Sequence, residues 1–492
     1  MSPLPYRIAP EMGQLGAACT NGPTETQSRL MRVTLAVSPW RIARAAQALA
    51  IAITIALAGC GPFKSEVALI RIDAKGDTIP DYPKIAADMI VNYDPGATVQ
   101  SFESKVDYSG KIGVELLGHS SLTFPKKSYA LELRDSLNRP LEAPLLGLPP
   151  GSGWVLHGPY SDKTLMRNFL AYDFARRLRV YGPRTHFAEL FVRQGAWGMS
   201  YVGVYLLVES IVHGKNHVDV AALEPGDTLA PAITGGYILQ VDRVGHDDDY
   251  FTMAGDSAMG HPDTVIFWYP PHPAPPQKQW LIGYFDSLAA ALPPAHSLED
   301  RDGYARYIDV DSFVDFLLVQ ELFKNVDAYR LSSYMHKDRL GKLGMGPVWD
   351  FDLTTGNARY NDGCDTDGWM VQTLSTRGNR ANPPPFWWRR LLQDRRFVER
   401  IAARWAELRA GPLTTENVRG TIRDAAHLLR EAQKRNFTRW PTLGKRLWPN
   451  CPVPGSNPPT YYKTYEAEIN GLTTWMDGRL AWMDAHIAAI GP

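Results

Sequence analysis

A chain of 492 residues with 52 basic and 52 acidic side chains carries no excess charge to hold a polyanion, so nucleic acid is not expected as a partner. Hydrophobic residues at 45% and charged residues at 21% are those of a folded protein, long enough for one large domain or two fused lobes. The 41 glycines and 38 prolines call for many loops and argue against a long helical bundle.

Residues 1–30 have no targeting pattern; they form an extension, or Met31 is the true start. After Met31 come Arg41 and Arg44, then an almost uncharged run from Ala45 to Ala58 that ends in Leu57-Ala58-Gly59-Cys60. A basic flank, a short apolar stretch and small residues make a secretory signal, and the run is too short to span a membrane comfortably. A buried alanine-rich helix with a chance cysteine is the competing reading. Leu-Ala-Gly-Cys resembles a bacterial lipobox, which implies lipidation at Cys60 and a membrane attachment through that lipid. Gly61 in place of Asp implies an outer-membrane destination. Residues 1–60 are thus expected to be extension and lipoprotein signal, and the location the cell envelope. With Cys19 and Cys60 set apart, Cys364 and Cys451 remain, either as one disulfide in an oxidising compartment or as two thiols. No Cys/His group has zinc-ligand spacing.

Residues 67–135 alternate β-like runs with turns, and Ser128–Leu133 places Tyr129, Leu131 and Leu133 on one face of a strand. Residues 140–160, rich in Pro and Gly, are expected as loop. Asp162 is expected to cap a helix reaching about Arg179. Phe187–Val192 and Tyr201–Val208 form a hairpin pattern joined through Gly195-Ala196-Trp197-Gly198. Gly235–Val241 is a further strand, and 245–280 is loop-rich, with acids at Asp247-Asp248-Asp249. A helix over Ser312–Lys324 follows, with Ser312 and Asp315 as a capping box. Tyr334–Lys337 and Gly346–Trp349 are β-like. Ile469, Leu472, Met476, Leu480, Met483 and Ile487 mark an amphipathic closing helix. The order predicts an α+β body of two lobes with a cleft between them.

Chemistry concentrates in two strings, Glu321-Leu-Phe-Lys-Asn-Val-Asp327 and Gly346-Pro-Val-Trp-Asp350-Phe-Asp352-Leu-Thr-Thr-Gly-Asn357. Asp350 and Asp352 lie two apart, so on extended chain both point one way. Paired carboxylates repel unless a cation joins them, and Mg²⁺ prefers such hard oxygens together with substrate phosphates. A phosphoryl-transfer site needs this metal carboxylate, a second one near the attacking hydroxyl, and a lysine on the phosphates. Taken singly, each Asp also reads as a helix cap or a loop acceptor.

The string GPVWDFDLTTGN after ELFKNVDAY resembles the signature of the CotH (spore-coat protein H) kinase-like family. Four further segments fall in that family's order: GHSSLTFPKKSYALEL (118–133), DKTLMRNFLAYDFARRL (162–178), YVGVYLLVESI (201–211) and GGYILQVD (235–242). The resemblance covers about residues 65–488. It implies a two-lobed atypical protein-kinase-like fold within 61–488, with a β-rich lobe at about 65–240 and a helix-rich lobe at about 241–488. It also implies ATP with Mg²⁺ or Mn²⁺. Carried over, Asp327 is the catalytic residue, Asp350 the metal ligand and Asp352 its assistant. Lys127, ahead of Lys126, contacts the nucleotide phosphates. Arg167 and Glu209 contact phosphate or position the lysine or metal, or else serve as a helix-surface arginine and a strand-end acceptor. Ser332 stands where kinases carry a second metal-binding asparagine, so Asn357 or Asn325 is expected to substitute. No GxGxxG loop is present; Gly118-His-Ser-Ser stands in for it. Two functions compete: a kinase acting on Ser or Thr of an envelope or surface protein, and a non-catalytic envelope-binding module. A structural Ca²⁺ site at the acids is a third reading, without EF-hand spacing.

Overall fold

The computed structural model describes residues 63–196, 198–253, 263–376 and 383–491. The leader, Cys19, Cys60 and Trp197 lie outside them.

The first part is a closed barrel. Strands β1 (Ala68–Asp73), β2 (Ile85–Asn92), β3 (Val106–Leu117) and β4 (Ser128–Arg134) form a meander, with a 3-10 turn at Ser120–Thr123 before β4. In β4 the alternation is as read: Tyr129, Leu131 and Leu133 turn inward and their neighbours outward. The stretch expected as loop instead holds β5 (Ala143–Leu145), β6 (Leu148–Gly151) and β7 (Gly153–His157). Its Gly and Pro shape the small β5–β6 hairpin, while Trp154 and Leu156 of β7 fill the barrel interior. Helix α1 (Arg167–Arg177) precedes β8 (Thr185–Arg193) and β9 (Ser200–Glu209). The order is β1-β2-β3-β4-β7-β9-β8, closed by a parallel pairing of β8 with β1.

The second sheet has the order β11-β12-β10-β13-β14. Its strands are β10 (Tyr237–Val241), β11 (Tyr250–Met253) and β12 (Asp263–Tyr269), then, after α2 (Pro275–Ala291) and α3 (Val310–Phe323), β13 (Ser333–Lys337) and β14 (Leu343–Val348). The described part of 245–280 holds β11, β12 and the start of α2. Because β10 pairs with β12 and β13, the change of sheet falls between Glu209 and Tyr237. Six helices follow: α4 (Met370–Thr376), α5 (Phe386–Leu391), α6 (Arg395–Arg409), α7 (Thr415–Leu428), α8 (Ala432–Arg439) and α9 (Tyr465–His486). The fold is α+β.

Two helix starts differ from expectation. Helix α1 begins at Arg167, because Leu165 has a positive φ of 64° that a helix does not admit. Asp162 still serves the helix start, its carboxylate accepting from the backbone N–H of Thr164 and Arg167 at 3.0 and 2.9 Å. Helix α3 is capped by Asp309, which accepts from the Ser312 N–H. Asp315 instead pairs with Arg404 at 2.7 Å and fastens α3 to α6.

Helix α3 is the centre of the larger core: every residue from Phe313 to Phe323 is buried. At its end Glu321 and Arg479, both wholly inaccessible, form an ion pair at 3.2 Å. Glu321 also accepts from the Met370 and Val371 N–H groups and the Tyr329 hydroxyl, at 2.7, 2.8 and 2.8 Å. Arg479 donates to the carbonyls of Glu321, Thr366 and Gly368. With every partner satisfied, the pair joins α3, α4 and α9. Cys364 and Cys451 are joined in a disulfide 87 positions apart. Among the described residues no helix is long and apolar enough to cross a membrane.

Candidate active site

Helix α3 ends at Lys324 in the left-handed region, φ 47°. The Lys324 ammonium donates to the carbonyls of Asp362, Asp365 and Asp367, pinning the later loop beneath the helix end. One turn further, the Asn325 side chain accepts from the Asp327 N–H at 3.0 Å, and the Asp327 carboxylate takes 2.6 Å from Arg330. Asp327 is thereby held by its own loop.

Asp350 and Asp352 arrive from the end of β14. Asp350 has φ 62°, a conformation Asp tolerates better than most side chains but still at a cost of about 1 kcal/mol or more. Helix α1 holds this turn: the Asp350 N–H donates to the Tyr172 hydroxyl at 3.2 Å and the Phe351 N–H to Asn168 at 2.6 Å.

The carboxyls of Asp350 and Asp352 lie close enough for each to shift the other's protonation. Burial, then the charge of Asp327, pushes Asp350 up to about 6; burial, then Asp350, holds Asp352 well above the carboxylate range. Burial also raises Asp327, against Arg330 and Arg243. By accessible surface Asp350 is nonetheless exposed and Asp327 and Asp352 half-buried, so the carboxyls can be reached from solvent. Asp242, at the end of β10, adds a fourth charge that raises Asp350 and Asp327. It accepts from the N–H and hydroxyl of Ser332 at 3.0 and 3.3 Å. Sequence reading passed over Asp242, whose neighbours reach it only through the β10–β13 pairing.

Other expected residues are distributed differently. Asn357 lies close by, but as a positioning residue: its amide donates to the Asp352 carbonyl at 2.7 Å and its oxygen accepts from Asn450 at 2.8 Å. Asn325 is occupied in shaping the Asp327 turn. Arg167 is no surface arginine. It is buried, paired with Asp162 at 2.5 Å, and donates to the Thr354 carbonyl, the Thr355 hydroxyl and the Thr355 carbonyl, clamping the chain after Asp352. Glu209 sits inaccessible at the end of β9, paired with Arg184 at 2.7 Å; no hydrogen bond or ion pair links it to the carboxylates.

The Lys127 ammonium bonds to the Leu122 carbonyl, away from the carboxylates. Lys126, in the bend before β4, is the buried one and donates to the Pro159 and Val204 carbonyls and the Asn436 side chain at 3.1, 2.6 and 2.9 Å. Burial holds its ammonium well below its usual pKa, against the pull of Asp162. Gly203, φ 115°, permits this approach, since a Cβ there would meet the Asn436 oxygen at 2.7 Å. Asp162, Arg167 and the Thr354-Thr355 backbone are thus joined in turn, and Lys126 feels the Asp162 charge from the barrel side.

The family model for CotH kinase protein matches residues 114–483, from β3 to α9. The chain belongs to the CotH kinase family. Inner spore coat protein H of Bacillus subtilis (strain 168) is 23% identical to it over 223 residues, 45% of this chain and 55% of that protein. The match thus spans about half the length of the relative. Within the CotH match lie the second sheet, the later strands of the barrel, the three aspartates and Asp242.

Among the described residues no three His, Cys, Asp or Glu side chains close into a metal cage of their own. The Asp350–Asp352 pair does fit a hard cation that keeps substrate and water oxygens as its remaining ligands. Neighbouring carboxyls that burial and mutual repulsion push toward protonation are relieved of that cost when a cation sits between them.

Proposed function

We propose that this CotH chain is an exported, lipid-anchored atypical protein kinase that transfers the γ-phosphoryl of ATP to Ser or Thr of an envelope or surface protein. The observation that carries this is the meeting of Asp327 with the Asp350–Asp352 pair, from segments 23 positions apart, in carboxyls that burial pushes toward protonation. Asp350 and Asp352 would hold Mg²⁺ or Mn²⁺, which when bound supplies charge neutralisation on the phosphates. Asp327, fixed by Arg330 and Asn325, would orient the acceptor hydroxyl and take its proton. Lys126, rather than Lys127, is the buried cation, and acts through Asp162 and Arg167 on the loop after Asp352. In this proposal the barrel and the sheet-and-helix part are the two lobes of a kinase-like arrangement. The leader and Cys60 would put the chain in the envelope, anchored by lipid.

One observation favours the non-catalytic alternative: the Lys126 ammonium already has three protein acceptors, which leaves it no donor for a phosphate. Labelled ATP with Mn²⁺, offered to the wild type and to Asp327→Ala and Asp350→Ala, separates the two. Transfer lost in both variants supports the kinase. Absence of nucleotide binding at millimolar concentration supports a binding module.

A further inference from the structure

Beside the aspartates stands Tyr360, whose hydroxyl is pushed up by burial and by the charges of Asp327 and Asp352. Its ring stacks on Trp448 with centroids 6.3 Å apart and planes 11° apart. Trp448 meets Phe124 at 6.4 Å, and Phe124 meets Tyr160 at 5.3 Å. These rings come from four separate segments, and Trp448, 52% exposed, belongs to no buried cluster. Its loop is nevertheless tightly fastened. The Arg359 N–H donates to the Pro449 carbonyl at 2.9 Å, the Asn450 amide bridges Asn357 and the Ser161 carbonyl at 2.8 Å each, and Cys451 is bonded to Cys364. A large apolar ring held in solvent against a tyrosine that neighbours the carboxylates is the form of a binding anchor.

We propose that the row Tyr360–Trp448–Phe124 seats the acceptor polypeptide, as an extended segment with aromatic or large apolar side chains at alternate positions near the Ser or Thr that is modified. The proposal rests on the phosphotransfer role above and adds the substrate class. Ring spacings of 6.3 and 6.4 Å match the rise of about 6.6 Å between alternate residues of extended chain. A nucleotide base uses one ring face; three rings in successive contact, with Tyr360 the one beside the aspartates, offer a longer track. Four aspartates at its head disfavour an acidic segment there.

Two fluorescein-labelled nonapeptides test this, one alternating Trp or Phe with Ser, the other with Ala replacing each aromatic. Anisotropy is read with the full chain in the absence of nucleotide, and MnATP affinity is measured separately by calorimetry. The alternating peptide should bind about tenfold more tightly. That preference should vanish in Trp448→Ala and return in Trp448→Phe. Equal binding of the two peptides by the wild type overturns the proposal whatever the variants do. A Trp448→Ala chain that keeps the peptide preference but loses MnATP affinity also overturns it, by assigning the row to the nucleotide base. A wild type that binds no MnATP overturns the acceptor role together with the kinase proposal, and the peptide comparison then reports on polypeptide binding alone.

Discussion

Asp350→Asn should abolish phosphoryl transfer and yet make the metal-free protein more stable at neutral pH. Asp350 is pushed up to about 6 from an ordinary 3.8, because burial and the charge of Asp327 disfavour its ionised form. A displacement of that size corresponds to about 3 kcal/mol for a shielded group. Asp350 opens to solvent, and screening reduces this to about 1 kcal/mol. The folded pKa lies above the unfolded one, so this carboxyl favours the fold in its neutral state. Its contribution is full below pH 4, declines as pH rises, and is lost above about 6. Asparagine is neutral throughout and tolerates the left-handed backbone equally. In EDTA at pH 8 the variant should therefore unfold at higher urea than the wild type, by about 1 kcal/mol, and the two should converge at pH 4. Added Mn²⁺ should stabilise the wild type by mass action and leave the variant unmoved. A variant less stable than wild type at pH 8 without metal would refute the reasoning and make Asp350 a structural loop acceptor.

Three further outcomes follow from the same contacts. Asp327→Asn should lower initial transfer rates by about 10²- to 10⁴-fold while calorimetry finds MnATP affinity retained. Arg479→Met leaves Glu321 charged and inaccessible, and should lower urea-derived stability by about 3–5 kcal/mol; the double variant with Glu321→Leu should recover part of it. Reducing the disulfide, or replacing Cys364 and Cys451 together by Ser, should cost about 2–4 kcal/mol in the same titration, because it closes a loop of 87 positions.

Local patterns were legible where the local chain decides the outcome. Tyr129, Leu131 and Leu133 mark β4 because their alternation is the strand's own period, and Asp327, Asp350 and Asp352 stand out because each ends an apolar run. What escaped depends on partners far along the chain. Trp154 joins a barrel strand despite flanking Pro and Gly, since β4 and β9 lie on either side of it. Asp242 reaches the aspartates by way of β13. Adjacent Lys126 and Lys127 both precede β4, and Lys126 is the buried one because its acceptors come from Pro159, Val204 and Asn436, far along the chain.

The parallel seam between β1 and β8 brings Ala68 opposite Ala188. During synthesis the first strand must therefore wait for some 120 residues before its second neighbour exists. Over that interval its row of N–H and C=O groups faces outward and invites pairing with another chain. A nascent polypeptide of this design benefits from a holdase, or from threading through a translocon, until the ring is shut.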